Sequence, residues 1–349
     1  MKTLPVAAAL RAVAWETTKS CSMKCRHCRA DAVNDNKSGE LSTAEGRWLI
    51  NGLAEMGGCT LILTGGEPLI RPDIYDLSAY AAGKGIDVVM ATCGNLVNPK
   101  SVKQMQSSGV RLISISLDGA DAVTHDSFRG LNGAYETALD AMRCSRQGKL
   151  PFQVNTTVST LNVEQLTDIY KQVVESGASV WDLFFLVPTG RGSSLKHLEI
   201  SSAAYEKTLH WVYRLSKVAP LGVKTTCAPH YGRIQRTLAG ADFDNIPRRF
   251  RARGCLGGKG FLFISSRGIV QPCGFLNLNC GDLRKAGFDI KSIYQDSIIL
   301  DALRRAEKYT GKCGSCSFVE SCGGCRARAF EKTGNFLSEE PNCIYENKK

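Results

Sequence analysis

Two groups of cysteines in this 349-residue chain have spacings that could do chemistry. The first is Cys21-Ser-Met-Lys-Cys25-Arg-His-Cys28. Thiols grouped this way, in a chain long enough to bury its own core, point to metal or redox chemistry rather than to a disulfide scaffold. Three thiolates suit an iron–sulfur cubane with one iron open to another ligand. A zinc site completed by His27 is the alternative, although His27 adjoins Cys28 and neighbouring residues rarely point into one tetrahedron. The second group begins with Cys255, twelve residues, Gly268, four residues and Cys273. It continues with Cys313-x2-Cys316-x5-Cys322-x2-Cys325 and ends at Cys343. Its two CxxC pairs also match a zinc ribbon loosely. Cys59, Cys144 and Cys227 have no partner at motif spacing and read as buried packing residues. Cys93 closes a predicted strand and faces the first group, and its role reads as structural.

The elements that position these residues alternate. Apolar, β-branched runs at residues 12–17, 60–64, 87–92, 111–117, 152–158 and 181–187 read as strands. Helical spacing lies between them at 42–56, 101–108, 135–147 and 163–176, with Ser42 and Glu45 at capping-box spacing. Such alternation implies a parallel sheet with right-handed crossovers. Nearly every strand ends in a polar motif: TTKSC, TGGEP, TCGN, SLDG and, after the sixth, VPTGRG. Strand ends that converge on one site favour a partial (β/α)6 barrel over a nucleotide crevice at one switch point. The barrel is expected over residues 1–220. Residues 221–349 then form a cysteine-rich unit of short strands and glycines, with a helix expected at 205–218 before it and one clear helical pattern within it, at 292–309.

Composition narrows the partners. The 44 Lys+Arg against 33 Asp+Glu leave a net charge of +11, which asks for an anionic partner without choosing one. The basic run at 245–260 has Phe250 as its one aromatic, and no nucleic-acid fold signature appears. No apolar run approaches the roughly 18 residues of a membrane span. The apolar stretch at 4–10 contains Pro5 and stops at Arg11, so it reads as part of the chain and not as a cleaved signal. Grouped free thiols imply a reducing, cytoplasmic setting.

The triplet after the first strand, followed by Thr64-Gly65-Gly66-Glu67-Pro68 after the second, resembles the radical S-adenosylmethionine (SAM) superfamily. The resemblance implies that Cys21, Cys25 and Cys28 hold a [4Fe–4S] cluster whose open iron binds SAM. It further implies that Gly65, Gly66 and Glu67 form the motif beside the SAM amino group. Ser116 and Asp118 would face the ribose, and Arg129 would pair with the SAM carboxylate. The residue before the last cysteine, usually aromatic, is here His27. The second group resembles the SPASM extension, which carries auxiliary clusters. On that pattern Cys313, Cys316, Cys322 and Cys343 bind one cluster. Cys255, Cys273 and Cys325 bind another, with Cys280 a candidate fourth ligand. The family usually has three residues before the last cysteine of the central group, and here there are two, Gly323 and Gly324.

The longer stretches VAWETTKSC, FLVPTGRG, TTCAPHYGRI, RGCLGGKGFLFIS, VQPCGFL and CGGCRARA are similar to the branch of this superfamily that oxidatively decarboxylates Fe-coproporphyrin III to haem. That implies a tetracarboxylate substrate and an electron donor such as a flavodoxin or ferredoxin. Arginine binds carboxylates bidentately, so Arg248, Arg249, Arg251 and Arg253 before Cys255, and Arg191 after the sixth strand, acquire a task. Within that set Arg191 and Arg253 are the substrate candidates, together with His230, which could ligate the porphyrin iron or donate to a propionate. Other SPASM enzymes are the alternatives: those that trim siroheme side chains, build haem d1 or mature peptides.

Overall fold

The computed structural model describes residues 9–34, 39–247 and 251–346. Ten strands run through it: β1 Ala12–Glu16, β2 Thr60–Thr64, β3 Asp87–Ala91, β4 Val110–Ser116, β5 Phe152–Val158, β6 Val180–Phe185, β7 Gly222–Thr226, β8 Phe261–Ile264, β9 Ile269–Gln271 and β10 Gly281–Asp282. They form one sheet in the order β10-β9-β8-β1-β2-β3-β4-β5-β6-β7. Strands β1 to β7 are parallel, β8 joins parallel to β1, and β9 and β10 follow antiparallel.

The helices are α1 Thr43–Glu55, α2 Ile74–Gly83, α3 Pro99–Ser107, α4 Ala122–Arg129, α5 Ala134–Gln147, α6 Leu166–Ser176, α7 Ser202–Leu215, α8 His230–Ala239, α9 Ile290–Asp296, α10 Ile298–Arg304, α11 Gly311–Gly314 and α12 Arg326–Thr333. Local chemistry sets their ends. Ser42 accepts from the Glu45 N–H, and Glu45 returns the bond to the Ser42 N–H at 2.8 Å, a capping box worth about 1 kcal/mol. Asn98 caps α3 in the same reciprocal way with Ser101. The apolar faces of these helices pack on a core that includes Trp15, Leu49, Leu63, Ile113 and Trp181.

The parallel pattern extends one strand beyond the six expected, because residues 222–226 pair in register with β6. Position 220 thus falls between α7 and β7, and the pairing of β8 with β1 carries the sheet into the cysteine-rich part. The helix expected at 292–309 is instead broken. Ser297 is extended, at φ −64 and ψ 120, and ends α9 while starting α10. A separate 3₁₀ turn covers Ala306–Lys308. Among the described residues no helix is long and apolar enough to cross a membrane.

Candidate functional site

The first cysteine loop leaves the C-terminal end of β1 and is tied down at several points. Cys21 N–H donates to the Val33 carbonyl at 2.9 Å, Arg26 N–H to Phe128 O at 3.0 Å, and Arg191 N–H to Cys28 O at 3.0 Å. Glycines 65 and 66 bring the end of β2 against this loop. Gly66 N–H donates to Thr18 O at 2.7 Å and Glu67 N–H to Ser20 O at 2.8 Å, and a Cβ on Gly65 or Gly66 would collide with the backbone of Thr18 or Ser20. Their freedom therefore serves a close approach between two backbones. Glu67 is fully buried. Its carboxylate accepts from Thr92 Oγ1 and the Cys93 N–H at 2.8 Å and from the Leu69 N–H at 3.1 Å, so it braces the β3 end.

Cys21 and Cys25 are buried in one small cluster, with Cys28 and Cys93 packed against it. All four thiols are free. Met23 N–H donates to Cys21 Sγ and Ala32 N–H to Cys28 Sγ, each at 3.4 Å, and Arg129 Nη1 lies 3.7 Å from Cys25 Sγ. The Cys93 thiol donates to Asn95 Oδ1 at 2.9 Å. The neighbouring Cys93 thiol holds Cys21 below the usual thiol range, and the nearness of Cys21, with burial, pushes Cys93 well up. Burial raises Cys25. Donors aimed at ligating sulfurs and nearby positive charge are among the levers that tune an iron–sulfur centre.

Behind the cysteines lies a buried charge network. Asp118, just past β4, meets Arg129 at the end of α4 through Oδ2 and Nη2, 2.6 Å apart. Its other oxygen accepts from the Thr157 N–H at 2.6 Å, and its own N–H donates to His125 Nδ1 at 3.0 Å. Burial alone would raise the Asp118 carboxyl, yet Arg129 and the two nearby histidines hold it below the usual carboxylate range. The His27 ring stacks on Phe128 with centroids 4.0 Å apart, and its Nε2 faces Asp118 Oδ2 at 3.7 Å. Burial pushes His27 down to about 4, so the ring is neutral at pH 7. His27 thus faces the carboxylate side, and no group of three or more His, Cys, Asp or Glu at single-ion spacing occurs among the described residues. Arg129 Nε and His27 Nδ1 are buried and have no hydrogen-bond partner. Ser116, the last residue of β4, pairs with Asn155 and is half-buried.

The substrate candidates do not share one place. The Arg191 guanidinium is occupied by the cluster loop: Nη1 donates to Cys25 O at 3.1 Å, Nη2 to Ala32 O, and Nε faces Asp31 at 3.4 Å. It holds the cluster loop in place there. Arg251 likewise holds Ile246 O at 2.7 Å. Arg253 is exposed, and Arg248 and Arg249 lie outside the described residues. His230 is fully buried against Tyr205, with ring centroids 4.9 Å apart. Neither ring nitrogen has a hydrogen-bond partner, and burial lowers its pKa to about 4.

His230 lines a cavity of about 590 Å³ together with Cys313, Cys316, Cys322 and Cys343. These four free thiols are the set the resemblance assigned to one auxiliary cluster. Backbone N–H groups again point at sulfur: Phe318 to Cys316 at 3.4 Å, Gly324 to Cys322 at 3.5 Å and Glu340 to Cys313 at 3.3 Å. Such an arrangement fits a cluster more readily than an apolar core, where a buried ring nitrogen without a partner is costly. The shortened Cys322–Cys325 spacing has a conformational basis. Gly323 and Gly324 are both left-handed, at φ 65 and 62. A Cβ on Gly324 would sit 3.2 Å from Cys313 Sγ and 2.7 Å from Glu340 Cβ. The tight turn leaves Cys322 in the cavity and carries Cys325 toward Cys255 and Cys273, with which it interacts electrostatically.

Sequence reasoning missed the buried pair Glu340–Arg328, 3.4 Å apart. Glu340 also accepts from the Cys325 N–H at 2.6 Å. Arg328 donates to the carbonyls of Leu186 at 3.1 Å and Cys227 at 3.2 Å, which ties the β6 and β7 ends to the extension. The two arginines of CRARA were visible as an unusual charge density beside Cys325, but nothing in the sequence said that they face inward.

The strand-end site and its buried charges define a SAM-type radical centre with a cysteine-rich C-terminal extension, and the chain belongs to the radical SAM superfamily, whose description matches residues 15–173. Members of that superfamily bind a [4Fe–4S] cluster and SAM. The chain is 44% identical over 342 residues to the "AdoMet-dependent heme synthase" of Nitratidesulfovibrio vulgaris, covering 97% of this chain and 93% of that protein. It is 44% identical over 340 residues to the protein of the same name from Methanosarcina barkeri, covering 96% of each. Among solved structures, Streptococcus suis SuiB bound to S-adenosylmethionine shares the fold, with a TM-score of 0.76 at 18% identity, over 97% of this chain and 78% of that one.

Proposed function

We propose that the chain is a radical SAM haem-forming enzyme that oxidatively decarboxylates two propionates of Fe-coproporphyrin III to vinyl groups. The observation that carries this reading is the near full-length likeness, at 44% identity, to proteins named for AdoMet-dependent haem synthesis. When bound, the cluster and SAM supply a 5′-deoxyadenosyl radical able to take a hydrogen atom. Taking that atom from the β-carbon of a propionate, then releasing CO2 and one electron, leaves the vinyl group and balances the step.

In this reading Cys21, Cys25 and Cys28 hold the first cluster, and the N–H donors of Met23 and Ala32 stabilise their thiolates. Arg191 and the backbone of Thr18 and Ser20 fix the loop. Arg129, with Nε unengaged and its charge balanced by Asp118, stands beside the triplet as the group to meet a carboxylate of SAM, and Ser116 closes the same strand end. The electron left after each decarboxylation needs an acceptor. The extension, with two further sets of thiols, is the part of the chain suited to hold one. The whole chain's net charge of +11 suits a tetracarboxylate.

The division of labour is testable in anaerobically reconstituted protein. Cys25→Ala should abolish release of 5′-deoxyadenosine from SAM, while Cys316→Ala should still release it without forming vinyl groups. Loss of all SAM cleavage in the second variant contradicts the assignment.

A further inference from the structure

Cys227, which has no partner at motif spacing, lies in the fold near two cysteines that do, Cys325 and Cys273. It follows the last residue of β7 and adopts φ 59, a left-handed conformation that few non-glycine residues hold without support. The support is visible: the Cys227 carbonyl accepts from Tyr205 Oη at 3.0 Å and from Arg328 Nη1 at 3.2 Å. In that pose Cys227 lies close to Cys325: Arg328 Nη1, which holds the Cys227 carbonyl, also reaches Glu340, whose carboxylate accepts from the Cys325 N–H at 2.6 Å. Cys325 and Cys273 are also among the groups that act on the Cys227 thiol. Cys255 and Cys273 interact with each other and with Cys325. Gly257 packs between the two, its Cβ position 3.7 Å from Cys255 Sγ and 3.8 Å from Cys273 Cβ. All four thiols are free. Cys280, by contrast, faces Leu278 O, Ser297 and Arg304, with no cysteine among its interacting neighbours.

We propose that Cys227 is the fourth protein ligand of an auxiliary iron–sulfur cluster held by Cys255, Cys273 and Cys325, and that Cys280 is not a ligand. Four thiolates leave that cluster no open iron. It therefore passes electrons and does not bind the substrate. The path to this set is tertiary: β7 delivers Cys227, the turn after Cys322 delivers Cys325, and Arg328 pins the first while its own helix starts at the second. The proposal rests on the presence of auxiliary clusters and not on the identity of the tetrapyrrole, so metal content and spectra test it without turnover.

The experiment uses the anaerobically reconstituted full chain as wild type, Cys227→Ala, Cys227→Ser and Cys280→Ala. Iron and sulfide are counted, and the dithionite-reduced proteins are compared by electron paramagnetic resonance. The proposal predicts that Cys227→Ala loses about one to four irons per chain together with one reduced-cluster signal. Cys227→Ser, which offers an oxygen ligand, should give that signal with shifted g values. Cys280→Ala should match wild type. Unchanged iron and spectra in both Cys227 variants, or the same loss in Cys280→Ala, overturns it. If Cys227→Ala does not fold, the serine spectrum decides: shifted supports, unchanged overturns. Wild-type protein with iron for the first cluster alone overturns both this ligand and the auxiliary reading beneath it.

Discussion

Asp118 and Arg129 form an ion pair 2.6 Å long, with the carboxylate wholly out of solvent and the guanidinium nearly so. The resemblance gives these residues to two different parts of one SAM molecule, yet in the structure they also hold each other. Arg129 reaches Cys25 Sγ through Nη1 while Nη2 keeps Asp118. The pair therefore couples the cluster loop to the β4 end. Removing one partner of a buried pair strands the other charge, at about 3–5 kcal/mol. Asp118→Asn should destabilise by that order in urea unfolding. Asp118→Leu combined with Arg129→Met should cost less than the sum of the single changes. Additive losses would show that the pair is not coupled.

The turn between Cys322 and Cys325 makes a second prediction. Gly324→Ala places a Cβ against Cys313 Sγ and Glu340 in a left-handed residue. It should lose about 1–3 kcal/mol of stability and lower auxiliary iron content. Gly83→Ala at the end of α2, where a Cβ meets nothing within 4 Å, should stay close to wild type in both measurements.

His125 gives the pH dependence. Its buried Nδ1 accepts from the Asp118 N–H, and burial lowers its pKa to about 4. A histidine with a folded value below its unfolded value of about 6.5 stabilises fully above that value and loses the contribution as pH falls toward 4. The gap in melting temperature between wild type and His125→Phe should be widest above pH 7 and shrink by pH 5. A gap that widens as pH falls would mean that the ring is held protonated.

Arg328 tests the joint between barrel and extension. Buried, it meets Glu340 and the carbonyls of Leu186 and Cys227. Arg328→Met should destabilise by about 3–5 kcal/mol because Glu340 stays behind uncompensated. Arg328→Met with Glu340→Gln should recover part of the loss, as read by thermal unfolding.

Much of this was legible in the sequence. Period-two and helical spacing located β2 and β5 to the residue, and the polar strand ends located the first cysteine loop beside Gly65 and Asp118. What escaped was set by contacts distant in sequence. The backbone of the cluster loop, 159 or more residues away in the chain, occupies Arg191. One extended residue, Ser297, splits a continuous helical pattern, which periodicity cannot register. Cys227 reads as packing from the sequence because Cys325 and Cys273, the cysteines that act on its thiol, stand at no motif spacing from it.

Mass spectrometry of the tetrapyrrole after anaerobic incubation with SAM, a reductant and Fe-coproporphyrin III tests the proposed activity most directly. Two successive losses of about 46 Da, each one CO2 with two hydrogens, are expected as two propionates become vinyl groups. An unchanged porphyrin alongside release of 5′-deoxyadenosine would contradict it.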